Sequence, residues 1–156
     1  MKYLVTLMLV LSTNSFAVKF EVIDTCSSSP VFETVVTDSY PTLGKLTLSV
    51  FTQNNIQNQS SEYGVSQLMN SPIGIDAMEV LSDTVMRSHG WCYSVDGEIP
   101  ELLMNEMKLT GEEKVITWFM GYSTYIGDPQ TGDAIWEGQC IPSYSLEAAP
   151  FPELCK

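Results

Sequence analysis

Basic charge is scarce in this chain. Seven Lys and Arg stand against 19 Asp and Glu, a formal net charge of −12. Nucleic acids and anionic membranes are held by basic surfaces that release counterions, so neither is expected as a partner. No Cys-x-x-Cys pair occurs, which removes a zinc ribbon and a thioredoxin-type site. There is no Gly-x-Ser-x-Gly elbow for a hydrolase nucleophile, and His89 is the single histidine. Beyond the first seventeen residues, no run is long and apolar enough to cross a bilayer, which takes roughly 20 apolar residues.

Those first residues read as a secretory leader. Lys2 supplies a short positive region, and Leu4 to Leu11 is apolar apart from Thr6. Ser15-Phe16-Ala17 places small residues at the two cleavage positions, so cutting is expected after Ala17. Residues 18–156 then form one domain with a sizeable core. Lys2 is the leader's one charged residue, so the mature chain keeps six basic residues and a formal charge of −13. Cys26, Cys92, Cys140 and Cys155 all lie in the mature part. Export, to the periplasm or outside the cell, makes two disulfides the expectation. Three connectivities are possible, and spacing does not choose among them.

Along the chain, strand signals dominate. Phe20–Ile23 and Val31–Thr37 flank a Ser-Ser-Ser-Pro turn and predict a hairpin. Residues 42–53 fit either period. Leu43, Leu46 and Val50 make a helical stripe, Leu46, Leu48 and Val50 alternate, and propensity favours a strand. Residues 54–61 predict a polar loop carrying the sequon Asn58-Gln59-Ser60, and residues 63–69 a short strand. Residues 76–86 predict a helix, with Ile75, Met78, Leu81 and Val85 on one face. Trp91 to Val95 alternates and closes on Asp96-Gly97, a hairpin signal. Met104 and Met107 are expected to fill core gaps. Residues 114–126 are the longest strand, and 128–133 turn it back into a partner over 134–141. The Pro-containing tail is expected to be irregular.

The stretch from Ser88 to Tyr122 resembles the domain family called DUF4430, related to the C-terminal domain of the transcobalamin and intrinsic-factor proteins. The elements that carry the likeness are Gly90-Trp91, Tyr93 to Gly97, Leu109, Gly111-Glu112, Val115, Trp118 and Tyr122. The resemblance implies an α+β fold: a β-grasp-like mixed sheet with one packed helix, which would be residues 42–53. An additional C-terminal hairpin would extend it. Asp96 stands where the family usually has Asn, and no cobalamin-binding helical domain accompanies the chain, so a cobalamin function does not carry over.

The candidate chemistry is thin. His89 with Ser88, Ser94 or a cysteine could make a nucleophilic dyad, and Glu98/Glu101 or Glu112/Glu113 a carboxylate pair. The plain readings are a hydrogen-bonded histidine and solvated turn acids. Asp128 to Asp133 lacks the alternating ligands of a calcium loop and reads as a turn. Alternation puts Trp91, Tyr93 and Val95 on one face, and Trp118, Met120 and Tyr122 on one face of the next strand. Trp118 is expected in the core. Trp91, Tyr93, Tyr122, Tyr125 and Trp136 are the candidate ligand-binding set, the last three with the better claim to a surface role. The leading expectation is a non-catalytic binding module for a small molecule, a glycan or a secreted protein, with no cofactor or metal. The alternatives are a small secreted hydrolase and a disulfide-stabilised structural or inhibitory envelope protein.

Overall fold

Strand β7 organises the molecule because its two edges are paired almost end to end. The computed structural model describes residues 16–155, so the expected leader lies outside it except for Phe16 and Ala17. In chain order the elements are β1 (Val18–Ile23), β2 (Pro30–Val36), α1 (Leu43–Gln53), β3 (Asn58–Ser60), β4 (Val65–Leu68), β5 (Met78–Val80), β6 (Val85–Val95), β7 (Val115–Gly127) and β8 (Ala134–Pro142). This is an α+β architecture of mostly strands with one described α-helix.

The main sheet runs β2-β1-β7-β6-β5. β1 lies parallel to the first half of β7, from Lys19 opposite Val115 to Ile23 opposite Phe119. β8 takes over the same edge antiparallel, from Gly121 opposite Pro142 to Gly127 opposite Ala134. β6 covers the other edge from Val95–Ile116 to Val85–Ile126. The expected hairpins at both ends of the chain are therefore present. The β6 strand ends in a two-residue turn with Asp96 and Gly97 both at positive φ, 51° and 86°, the combination a tight hairpin turn demands. The Asp96 carboxylate also accepts from the Lys114 and Val115 amides at 2.8 Å each. The turn thus fixes where β7 begins.

Residues 43–53 are helical, as the family resemblance implied and propensity did not. Thr42 caps the helix by accepting from the Lys45 amide. The first-turn amides of Leu43 and Gly44, which have no acceptor within the helix, donate to the Met107 and Met104 carbonyls at 2.9 and 2.8 Å. Leu43, Leu46, Val50 and Phe51 are buried on one face. Each β-branched residue costs a helix at most about 0.7 kcal/mol, while each buried large apolar side chain contributes about 1.5–3 kcal/mol. Burial wins. The helix packs on Phe20 and Trp118, with Phe20 and Phe51 edge-on at 6.0 Å. The Trp118 indole N–H donates to the Thr47 hydroxyl, so that buried polar pair is satisfied. Met104 joins this core and Met107 packs on it.

Two expectations fail. Residues 76–86 do not form a helix: the chain makes a 3-10 turn over Gly74–Ala77, then β5, a tight turn, and the start of β6. Ile75 and Leu81 of the supposed stripe are exposed at 83% and 44%. A helix there would have no face to bury its stripe against, whereas strand pairing satisfies the backbone. The polar loop over 54–61 contains β3, which pairs with β4 and is tied to it by a hydrogen bond from the Gln59 side-chain amide to the Gln67 amide oxygen at 2.8 Å. The sequon's Asn58 amide donates to the Ile56 carbonyl.

The disulfides are Cys26–Cys155 and Cys92–Cys140. The first joins the end of β1 to the tail. The second links β6 to β8 across the strand between them. In the chain-entropy model, loops of these sizes contribute about 5 kcal/mol for the first and about 4 kcal/mol for the second. The crossing needs a glycine beneath it: a Cβ on Gly121 would sit 2.9 Å from Cys92 Sγ and 3.0 Å from Cys140 Cα. Gly90, directly across the ladder from Gly121, has open space where its Cβ would go. Gly121→Ala should therefore destabilise by about 1–3 kcal/mol through overpacking. Gly90→Ala should be close to neutral. Urea unfolding of the oxidised variants tests the pair, and equal midpoints would refute the staple's steric demand.

Candidate functional site

The five candidate aromatics fall into three neighbourhoods. Register sets Tyr93 opposite Trp118, Trp91 opposite Met120 and His89 opposite Tyr122 on adjacent strands. The helix covers the first of these rows, so Trp118 is core, and Tyr93 is 9% exposed against it with ring centroids 5.5 Å apart. The Tyr93 hydroxyl leaves the core and donates to the Leu102 carbonyl at 2.7 Å. Burial pushes that hydroxyl above the usual phenol range, and the Glu106 charge adds to the effect.

Trp91 is half-buried, and its indole N–H donates to the buried Ser71 hydroxyl at 2.8 Å. It stands between two clefts. One is a groove of about 490 Å³ along the outer flank of β6, bounded by Tyr63–Val65 and by the Ile99–Leu103 connector. The other, about 360 Å³, lies between Met69, Met120, Val31 and Leu154 and is predominantly apolar. Both are of the size that ligand sites occupy.

Tyr125 and Trp136 sit on the outer half of the β7–β8 ladder, edge-on at 5.4 Å. Trp136 is 59% exposed. Tyr122 belongs to neither group: it lies between the His89 ring at 5.7 Å and the Arg87 guanidinium at 5.2 Å. The structure brings Trp91 and Tyr93 to one groove, Tyr125 and Trp136 to one hairpin, and Tyr122 to the histidine.

His89 does face a serine, and it is neither Ser88 nor Ser94. Its Nδ1 is 2.9 Å from the Ser143 hydroxyl, 54 residues away. Its Nε2 lies 3.6 Å from a Glu79 oxygen that also accepts from Arg87. Serine, histidine and glutamate in series have the composition of an acyl-transfer relay. Burial decides against that use here. Ser143 is fully buried, His89 is 6% exposed, and Phe151 closes over the ring at 5.0 Å. A substrate carbonyl has no approach to the hydroxyl. The pair instead holds the tail after β8 against β6.

The other acidic candidates are likewise accounted for locally. Glu113 accepts from the Thr110 amide and hydroxyl and from the Gly111 amide. Burial alone would raise its carboxyl. The hydrogen bonds from Thr110, its own amide and Gly111 outweigh that and hold it below the ordinary value. Glu98, Glu101 and Glu112 are exposed. Asp128 accepts from the Gln130 amide as a turn residue does. Among the described residues no group of three or more His, Cys, Asp or Glu is placed to hold a metal ion.

No protein-family model matches the chain, and no curated protein does. One solved structure is similar: a protein from Ruminococcus gnavus ATCC 29149, described as a candidate metal binding protein, in a 1.30 Å crystal structure. It shares 16% identity over 68% of this chain and 98% of its own, with a TM-score of 0.41. A likeness at that level carries no argument about ligand or activity.

Burial lowers the His89 pKa, Glu79 partly opposes this, and Arg87 adds to the lowering. The folded chain therefore holds the proton less readily than the unfolded chain. Stability from the neutral ring is fully present above the ordinary imidazole value, about 6.5, and is lost as pH falls through the window beneath it. Melting temperature should fall between about pH 7 and pH 5.5 in the parent, and less steeply in His89→Asn. Identical slopes would show that the ring does not titrate in that window.

Proposed function

We propose that this chain is an exported, non-catalytic binding module of the β-grasp kind, with its ligand seated in the clefts on either side of Trp91. The expected leader and two disulfides support export to an oxidising compartment. No described helix is long and apolar enough to cross a membrane. The β-grasp reading draws support from the order β2-β1-β7-β6, a parallel central pair with an antiparallel neighbour on each side, and from the helix that follows the β1–β2 hairpin. Kinship with the DUF4430 family rests on the Ser88 to Tyr122 residues and remains part of this proposal.

One observation carries the functional reading. The groove and cleft beside Trp91 are open, the groove of mixed polarity and the cleft largely apolar, while the Ser143–His89 pair, the one nucleophile–base arrangement noted above, is sealed. Ligand classes that fit are a small molecule, a glycan or an extended protein segment.

A thermal-shift panel of glycans, small molecules and peptides tests this. A ligand at about 100 times its Kd stabilises by about 2.7 kcal/mol, several degrees in a domain of this size. At least one class should raise the melting temperature and be recovered chemically unchanged, with the response intact in Ser143→Ala. Conversion of a ligand to product, abolished by Ser143→Ala, would establish the hydrolase alternative. A panel blank in every class would remove the binding reading.

A further inference from the structure

We propose that the open flank of β6 takes an extended segment of a partner protein as an added strand, a segment that carries both apolar side chains and lysine or arginine. This deepens the binding-module reading and rests on it. β5 pairs with β6 only from Met86 to Ser88, and Glu98 pairs with Val95. Between them, residues 90–94 have no strand partner on that side among the described residues.

The hydrogen bonds show which backbone groups point outward. Val95 donates its N–H to the Glu98 carbonyl at 2.8 Å, and its own carbonyl accepts the Glu98 N–H at 3.0 Å. Asp96 in turn donates to the Val115 carbonyl. Both backbone groups of Val95 therefore face away from β7. Antiparallel pairing alternates, so the N–H and C=O of Tyr93 and Trp91 point the same way. These four groups are a short template for a further strand, the arrangement that strand-addition recognition uses.

The groove beside this template has the side-chain chemistry such a segment needs. Ile99, Leu102, Leu103 and Tyr63 leave 41%, 48%, 52% and 62% of their surfaces exposed there. Among the described residues, the charged ones lining it are Glu101 and Glu106, with no Lys or Arg. Side chains of an added strand would meet both the apolar rim and the two carboxylates. Charge complementarity selects a basic partner and steers it to a chain of net charge −12. A second copy pairing through this same edge is the wrong occupant, because it would bring its own Glu101 and Glu106 against these.

The test begins with selection of displayed random peptides on the oxidised protein. The winning peptide is then synthesised and followed by amide NMR. Winners should combine apolar and basic residues. On binding, the Trp91 and Tyr93 amide signals should shift and gain protection from solvent exchange. Methylating the peptide nitrogens that face β6 should weaken binding at least tenfold. Glu101→Lys should do the same at low salt, with an unchanged melting curve. Winners that leave those amides unmoved, or that tolerate backbone methylation, would overturn the proposal, and so would a selection without enrichment. If a glycan or small molecule still raises the melting temperature in those cases, this proposal fails alone. If nothing binds, both readings fail.

Discussion

The pairing of one long strand along both edges is the constraint on which the rest of the structure depends. β7 has thirteen residues, and β6 follows one side of it throughout. The other side is shared between β1 and β8, which meet it in opposite directions. Its first half carries Ile116 and Trp118 into the core beneath the helix, where Trp118 touches Phe51 and Tyr93 and bonds to Thr47. Its second half projects beyond the helix as the β7–β8 ladder. The Cys92–Cys140 bridge crosses near the handover from β1 to β8, above Gly121. A hydrophobic core on one side and a covalent staple on the other therefore act on the same strand.

The proposed binding role rests on what this arrangement leaves open. The polar group with the most reactive neighbours, His89, is enclosed by Tyr122, Phe151 and Ser143. It has become part of the packing of the tail. The β6 flank is different. Its backbone is paired inward by β7, but β5 is only three residues long, and residues 90–94 have no strand partner on the outer side among the described residues. Natural sheets usually protect such edges. Here the uncovered part is bordered by apolar side chains and acids, a composition suited to a specific partner.

The strands and tight turns were legible because their signals are local. Alternation over Trp91 to Val95 and Val115 to Ile126 is read within a few residues, and Asp96-Gly97 has few other conformations open to it. The helix was legible only through resemblance. Thr47, Val50 and Thr52 weigh towards a strand, and the buried face that overrides them belongs to distant residues such as Phe20 and Trp118. The same blindness misplaced a helix at 76–86, where a three-and-four spacing exists without any surface to receive it. The disulfide pairing, the Ser143–His89 contact and the β6 groove join segments far apart in sequence. No local pattern in residues 63–65, 91–93 and 99–106 marks them as neighbours.

Residue-resolved hydrogen exchange of the native, oxidised protein tests the central role of β7 most directly. The account predicts that the Ile116 to Met120 amides exchange slowest, by global unfolding, and that β1 and β6 amides facing β7 open together with them. The β3–β4 pair should exchange much faster, through local opening. β7 amides exchanging as fast as β3–β4, or β1–β2 protection surviving after β7 has opened, would contradict it.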